Sequence, residues 1–212
     1  QENKLSVLRA MIEGQEQERS RIAADLHDGL GGLLTSVKSH FNSLPAAPEK
    51  TDLFGKTNRL IDDACGEVRR ISHNMMPRAL SVAGLPAALE DLAQDLKGTG
   101  IDCRLEMIGM DEPVPPTLAV NVYRILQEVC NNTIKHAGAD QLLLQLIRHD
   151  DTLTLIAEDN GKGFDLKKAR AQNGLGLSSI ESRVHYLQGQ IEWDSVPGEG
   201  TQISITLPVG LV

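Results

Sequence analysis

Apolar positions recur at intervals of three and four along the first 75 residues. Leu5, Leu8 and Ile12 lead into Ile22, Leu26, Leu30, Leu33, Val37 and Phe41, a single stripe that predicts one helix over residues 4–44. Gln15 and Arg19 interrupt it, and Leu44-Pro45 ends it, because proline restricts the residue before it and cannot continue the ladder. After PAAPEKTD a second stripe, Leu60, Ala64, Val68, Ile71 and Met75, runs up to Pro77. Two long helices joined by a short turn pack antiparallel as a hairpin. Each apolar face is wider than one partner helix covers, so the expected assembly is a four-helix bundle built from two chains through an isologous contact.

The pattern changes beyond Pro77. Residues 78–85 read as a loop, followed by a helix opened by Pro86 and stopped at Gly98 or Gly100. IDCRLEM alternates, with Ile101, Cys103, Leu105 and Met107 on one side, and predicts a strand with one covered face. Residues 117–136 predict a helix that turns Leu118, Val122, Ile125, Leu126, Val129 and Ile134 inward. LLLQLIRH and TLTLIAED, separated by two aspartates, predict a hairpin of strands. A glycine-rich span, 160–176, precedes the helix LSSIESRVHYLQ, and IEWDS and TQISITLP flank a PGEG turn as two last strands. Helices against a mostly antiparallel mixed sheet make the second part an α/β sandwich, and the fold class of the whole is α+β. The expected domains are 1–77 and 86–212, with 78–85 between them as linker and hinge.

Composition narrows the picture. With 41% hydrophobic residues the 212-residue chain can bury an ordinary core, and with only 3% aromatics that core is aliphatic. A net charge of −8 and a pI near 5.2 lack the basic footprint of a general nucleic-acid binder, so no nucleic-acid contact is expected. Cys65, Cys103 and Cys130 are odd in number and lack the paired spacing of a zinc site, which suits reduced core thiols and a cytoplasmic setting. No apolar run is long enough to span a bilayer. The chain starts in mid-helix without an initiating Met, so an upstream segment is expected.

Four segments carry candidate chemistry. His27 lies one step off the first stripe with Asp28 beside it. Such a histidine is either a solvated helix-face residue or a nucleophile oriented by its neighbouring carboxylate. On the 117–136 helix, Glu128, Asn132 and either Lys135 or His136 share a face. An acid, an amide and cations on one side suit a magnesium–phosphate site, and equally a solvated helix end. DNGKG, 159–163, follows a strand. Gly161 and Gly163 allow close backbone approach to a flat ligand and Asp159 can accept from an exocyclic amine, although alone the segment reads as a turn. NGLGL, 173–177, opens a helix whose exposed amides suit phosphate; it fits neither the dinucleotide fingerprint nor the P-loop.

Taken in order, NNTIKH, DNGKG, NGLGL and PGEGTQISITLP resemble the Bergerat-type ATP-binding domain shared by gyrase, MutL and sensor histidine kinases, and DLHDGLGG resembles the phosphoacceptor helix of the last. The chain is identified as resembling a two-component sensor histidine kinase of the subfamily that pairs with NarL/LuxR-type response regulators. The resemblance implies that ATP phosphorylates His27, with Asp28 as base and orienting partner, and that the phosphoryl group passes to an aspartate of a response regulator receiver domain. It implies Mg2+ held by Asn132, Glu128 as the acid that gyrase-like ATPases use against water, and Lys135 and His136 on phosphates. It places adenine selection on Asp159, the adenine pocket on Gly161 and Gly163, a lid end on Gly174 and Gly176, and a supporting contact on Thr201. Asn131 ranks below Asn132, one position from the family's metal ligand. A homodimer through the first two helices is implied as well, and so is an upstream sensor region, in a full-length protein whose core is cytoplasmic, either free or anchored in the membrane.

One departure concerns Gly32, where many members carry the Gln that positions water to remove phosphate from the partner regulator. Glycine has no side chain for that task, so weak phosphatase activity is expected. Two other readings compete: a gyrase-like ATP-driven dimer switch without autophosphorylation, and a coiled-coil adaptor with a degenerate pocket. Intact Asn132, Asp159 and both glycine motifs speak against the second of these.

Overall fold

The computed structural model describes residues 2–43, 51–171 and 175–210. The turn expected at Leu44-Pro45 and beyond, Gly174, and the side chains of Leu5 and Leu8 lie outside the described residues. By compactness residues 10–78 form one unit, which is helical, and residues 79–210 fall in the other, which is mixed.

The helical unit is the expected hairpin, with a refinement. Helices α1 (Glu2–Ala24) and α2 (Gly31–Ser43) are joined through a π-helical segment, Asp25–Leu30, and α3 (Thr51–Met75) returns beside them. Gly29, Gly31 and Gly32 crowd this spot, and glycine holds the α-helical ladder weakly. The backbone settles into the wider turn, with the Gly31 N–H donating to the carbonyl of Leu26. Antiparallel packing follows from three pairings. Ser72 Oγ donates to the Ala23 carbonyl at 2.9 Å, Lys38 pairs with Asp62, and Phe41 stacks on Phe54 with ring centroids 4.4 Å apart. Cys65 and Val68 are buried, but Leu33 and Leu60 are 66% and 68% exposed, so the stripes are wider than this one hairpin covers.

The second unit begins differently from expectation. Residues 78–85 are not a loop: α4 (Arg78–Val82) follows Pro77 directly, and α5 (Gly84–Lys97) opens at Gly84 with a positive φ of 84°, so Pro86 falls within the first turn. A five-residue helix is too short to leave a periodic signal. Then come β1 (Asp102–Ile108), α6 (Pro116–Asn132) with a π-helical extension Thr133–Ala137, and β2 (Gln141–His149) with β3 (Thr152–Asp159). Next are α7 (Leu166–Ala171), α8 (Leu175–Tyr186), β4 (Gln190–Val196) and β5 (Gly200–Pro208). The sheet order is β1-β2-β3-β5-β4, with β1–β2 parallel and the other pairs antiparallel.

Alternation sets the core. Leu142, Leu144 and Leu146 on β2, Leu153 and Leu155 on β3, and Ile203, Ile205 and Leu207 on β5 are buried. Leu118, Val122, Ile125, Leu126 and Val129 of α6 are buried too, as expected from the stripe, but Ile134 is 44% exposed. The π-helical turn at 133–137 widens the helix and rotates Ile134 off the buried face. Helix α7, inside the span expected to be only glycine-rich loop, is started by Asp165, whose Oδ1 accepts the Lys168 N–H at 3.1 Å. All three cysteines are buried and unpaired, and burial pushes the Cys103 and Cys130 thiols above their ordinary range.

Candidate functional site

Asp159 closes β3, and Thr201 lies opposite it on β5. Glu128 and Asn132 stand one turn apart on α6, and the extension beyond Asn132 carries Lys135 and His136. These side chains converge on one cavity of about 600 Å3, which Glu128, Asn131, Asn132, Lys135, His136, Asp159, Gly163, Gly176 and Thr201 all help to line. The spacing argument allowed only one of Lys135 and His136 on the face of Asn132. The π-helical turn, with more residues per turn than an α-helix, presents both.

The glycines have distinct tasks. Gly161 is buried and is not part of the cavity wall: a methyl group there would meet the Ala137 carbonyl oxygen at 2.6 Å and Asp159 Oδ1 at 2.8 Å. It lets the loop pass under the end of the α6 extension, where the Lys162 N–H donates to the Ala137 carbonyl at 2.9 Å. Gly163, with a φ of +55°, lets the loop run against the carbonyls of Val196 and Gly200. Gly176 sits in the first turn of α8, and a methyl group there would lie 2.6 Å from Glu128 Oε1 and 3.0 Å from Asn132 Oδ1. The Glu128 carboxylate and the Asn132 amide, whose Nδ2 is equally 3.0 Å away, thus meet at one place, and a carboxylate and an amide oxygen are donors a hard cation accepts. Gly174 lies outside the described residues.

Asp159 is half-buried, and desolvation raises its carboxyl above the usual range, opposed by the Gly161 N–H donating to its Oδ1 at 2.9 Å. That bond fixes how the second carboxylate oxygen faces the cavity. Asn160 acts as a brace: its Oδ1 accepts from the N–H groups of Asp140 and Gln141 at 3.1 and 3.0 Å. The motifs missed the apolar end of the cavity, formed by Phe164, Ala169, Leu177, Trp193 and Ile203. Phe164 meets Trp193 edge-on at 6.3 Å. Phe164 adjoins DNGKG, Leu177 closes NGLGL and Ile203 lies in the last strand segment, while nothing local marks Ala169 or Trp193.

In the helical unit, His27 Nδ1 lies 2.8 Å from Asp28 Oδ1, inside the π-helical segment. The His27 side chain is 39% exposed and that of Asp28 80%, so the imidazole is neither buried nor wholly solvated.

A cavity with an acid and an amide on one helix, a strand-end aspartate and glycine loops, under a five-stranded mixed sheet, defines an ATPase-type domain. Residues 117–211 match the family model for histidine kinase-, DNA gyrase B- and HSP90-like ATPases, and residues 18–80 match the model described as histidine kinase. The chain belongs to the sensor histidine kinases. It is 31% identical over 207 residues to the sensor histidine kinase MctS of Rhizobium johnstonii, covering 93% of this chain and 44% of that protein. It is 29% identical over 210 residues to the signal transduction histidine-protein kinase/phosphatase DegS of Brevibacillus brevis, covering 94% and 53%. The chain thus spans about half the length of these relatives. The histidine kinase domain of the Erythrobacter litoralis EL346 blue-light activated histidine kinase shares the fold, at 18% identity and a TM-score of 0.54 over 92% of this chain and 94% of that one. Among the described residues no helix is long and apolar enough to cross a membrane.

Proposed function

We propose that this chain is the catalytic core of a kinase that phosphorylates itself on His27 from ATP and passes the phosphoryl group to an aspartate on a response regulator receiver domain. The observation that carries the reading is the convergence of Glu128, Asn132, Asp159, Gly176 and Thr201, drawn from four separate segments, on one cavity in a chain that also bears the His27–Asp28 pair.

In the neutral imidazole, Nδ1 keeps its proton and donates it to Asp28, which directs attack through Nε2. The Nε2 lone pair forms the new N–P bond as the bond from the γ-phosphorus to the β-bridging oxygen breaks, and ADP leaves with that electron pair. Positive charge then appears on the ring, and Asp28 stabilises it and takes up the Nδ1 proton. The cavity's residues hold the nucleotide. Asp159 accepts from the adenine amino group with Thr201 beside it, and Lys135 and His136 meet phosphate oxygens. Asn132, with Glu128 adjacent, would hold Mg2+, which offsets phosphate charge. Residues 78–85 would act as the hinge that lets donor and acceptor meet.

Dimerisation supplies the cover for the hairpin's outer face. Leu30 at the end of the π-helical segment and Leu33 and Val37 on α2, with Leu53 and Leu60 on α3, form stripes at helical spacing that are exposed in one chain. A twofold four-helix bundle buries them.

The test is incubation with γ-labelled ATP and Mg2+. Label that is lost in acid, survives base and is missing from His27→Ala supports a histidine phosphoramidate; acid-stable label, or label in His27→Ala, refutes it. The gyrase-like switch makes a different forecast, ATP turnover abolished by Glu128→Ala and untouched by His27→Ala.

A further inference from the structure

Asp159 and Thr201 stand side by side at the cavity because they are cross-strand partners on β3 and β5. The next strand out, β4, sets Ser195 opposite Thr201 from the other side. Ser195 does not line the cavity; its hydroxyl works behind the wall. Its Oγ accepts the backbone N–H of Phe164 at 2.9 Å, and lies 3.1 Å from Thr201 Oγ1 and 3.2 Å from the Gly200 carbonyl oxygen.

A hydroxyl has one proton to give and two lone pairs to receive. The Phe164 amide takes one of those lone pairs, which leaves two arrangements. In the first, Ser195 donates to Gly200 and accepts the Thr201 proton, so Thr201 shows only lone pairs to the cavity. In the second, Ser195 donates to Thr201, and the Thr201 proton is free to point at a ligand. Donation by the Phe164 amide polarises the Ser195 hydroxyl and strengthens whichever bond its own proton makes.

We propose that Ser195 is a positioning residue for the nucleotide base: by donating to Thr201 it makes the Thr201 hydroxyl a donor directed into the cavity, matched to a ring nitrogen beside an exocyclic amine. This rests on the ATP reading of the site. The Asp159 carboxylate only accepts, so it selects the amine. On adenine the neighbouring ring atom is an acceptor and needs a donor from the adjacent strand, directly or through one water. Guanine reverses the order, a carbonyl followed by an N–H, and mismatches both groups. The same Ser195 oxygen anchors the Phe164 backbone, whose ring stands against Trp193, so base recognition and the apolar wall share one support.

The test compares ADP with 1-deaza-ADP, which carries C–H in place of the ring nitrogen beside the amine, binding to the 212-residue chain by titration calorimetry. ADP has no γ-phosphoryl group, so phosphorylation does not intervene. The unchanged protein is expected to bind the analogue about fivefold more weakly, the worth of one neutral hydrogen bond. In Ser195→Ala, ADP should weaken by a similar factor while the gap between the two nucleotides closes to within about twofold. Because the gap is a ratio within one variant, any loss of folded protein cancels. A gap as wide in Ser195→Ala as in the unchanged protein, or no gap in either, overturns the role of Ser195 while leaving the ATP reading intact. Failure of the unchanged protein to bind ADP, or binding indifferent to Asp159→Asn, overturns the ATP reading itself.

Discussion

Two side chains define the chemistry at the scale of the residue. In the proposed reaction His27 would draw its reactivity from the carboxylate one residue on, whose Oδ1 lies 2.8 Å from Nδ1 and leaves Nε2 to attack. Asp159 is the other. Its half-buried carboxyl is held above the ordinary range by desolvation, and an acceptor role toward an amine requires the charged form. Nucleotide affinity should therefore fall as pH drops through that raised pKa, and Asp159→Asn should weaken ATP binding by about tenfold or more at neutral pH, as measured by calorimetry. The sign for stability is opposite. A carboxyl whose folded pKa exceeds its unfolded value binds its proton more tightly in the folded protein, so the stabilisation is present at low pH and lost as pH rises through the folded pKa. Melting temperatures of the nucleotide-free protein, taken at mildly acidic and neutral pH, should show Asp159→Asn gaining relative to the unchanged chain as pH rises.

At the scale of the element, local helix geometry decides what the side chains can do. Both π-helical turns fall on predicted site residues: Asp25–Leu30 surrounds His27, and Thr133–Ala137 carries Lys135 and His136. Periodicity finds a helix but not an extra residue within a turn, which is why the first helix read as uninterrupted and why only one of Lys135 and His136 was expected on the site's face. Gly32 opens a separate prediction. A methyl group added there meets nothing within 4 Å, so Gly32→Gln fits the exposed helix. It should raise helix stability by about 0.5–1 kcal/mol, visible as a higher melting temperature. It should also increase release of phosphate from a phosphorylated receiver domain, and an unchanged rate would remove Gly32 as the cause of weak phosphatase activity. The exposed stripe of α2 and α3 makes a third prediction. Leu33→Asp puts a charge at the centre of the proposed bundle seam, and sedimentation should show a dimer replaced by monomer, while ADP binding by the second unit is unaffected.

At the scale of the molecule, the strongest patterns were the most legible. Alternation in LLLQLIRH, TLTLIAED and TQISITLP gave three strands of the sheet, and the stripes gave the hairpin and the buried face of α6. The polar end of the cavity was legible through motif order, since Glu128, Asn132, Asp159 and Thr201 sit in segments that name themselves together. Short helices were not: α4 and α7, of five and six residues, lie below the length at which period can be read. Trp193 and Ile203 reach the cavity because β5, with β4 beside it, pairs with β3, a long-range fact absent from any local window. Ser195 escaped for the same reason, because its importance lies in two hydrogen bonds to residues that the chain brings together only on folding.

The proposed reaction leaves the phosphoryl group on Nε2 of His27 while Asp28 holds Nδ1. Phosphorus–nitrogen coupled NMR on the protein after reaction with ATP and Mg2+, with the imidazole nitrogens isotopically labelled, reads that attachment directly. A single phosphohistidine at position 27 bonded through Nε2 is expected, formed far more slowly in Asp28→Ala. Phosphorus bonded to Nδ1, or to any other residue, would contradict the proposed reaction.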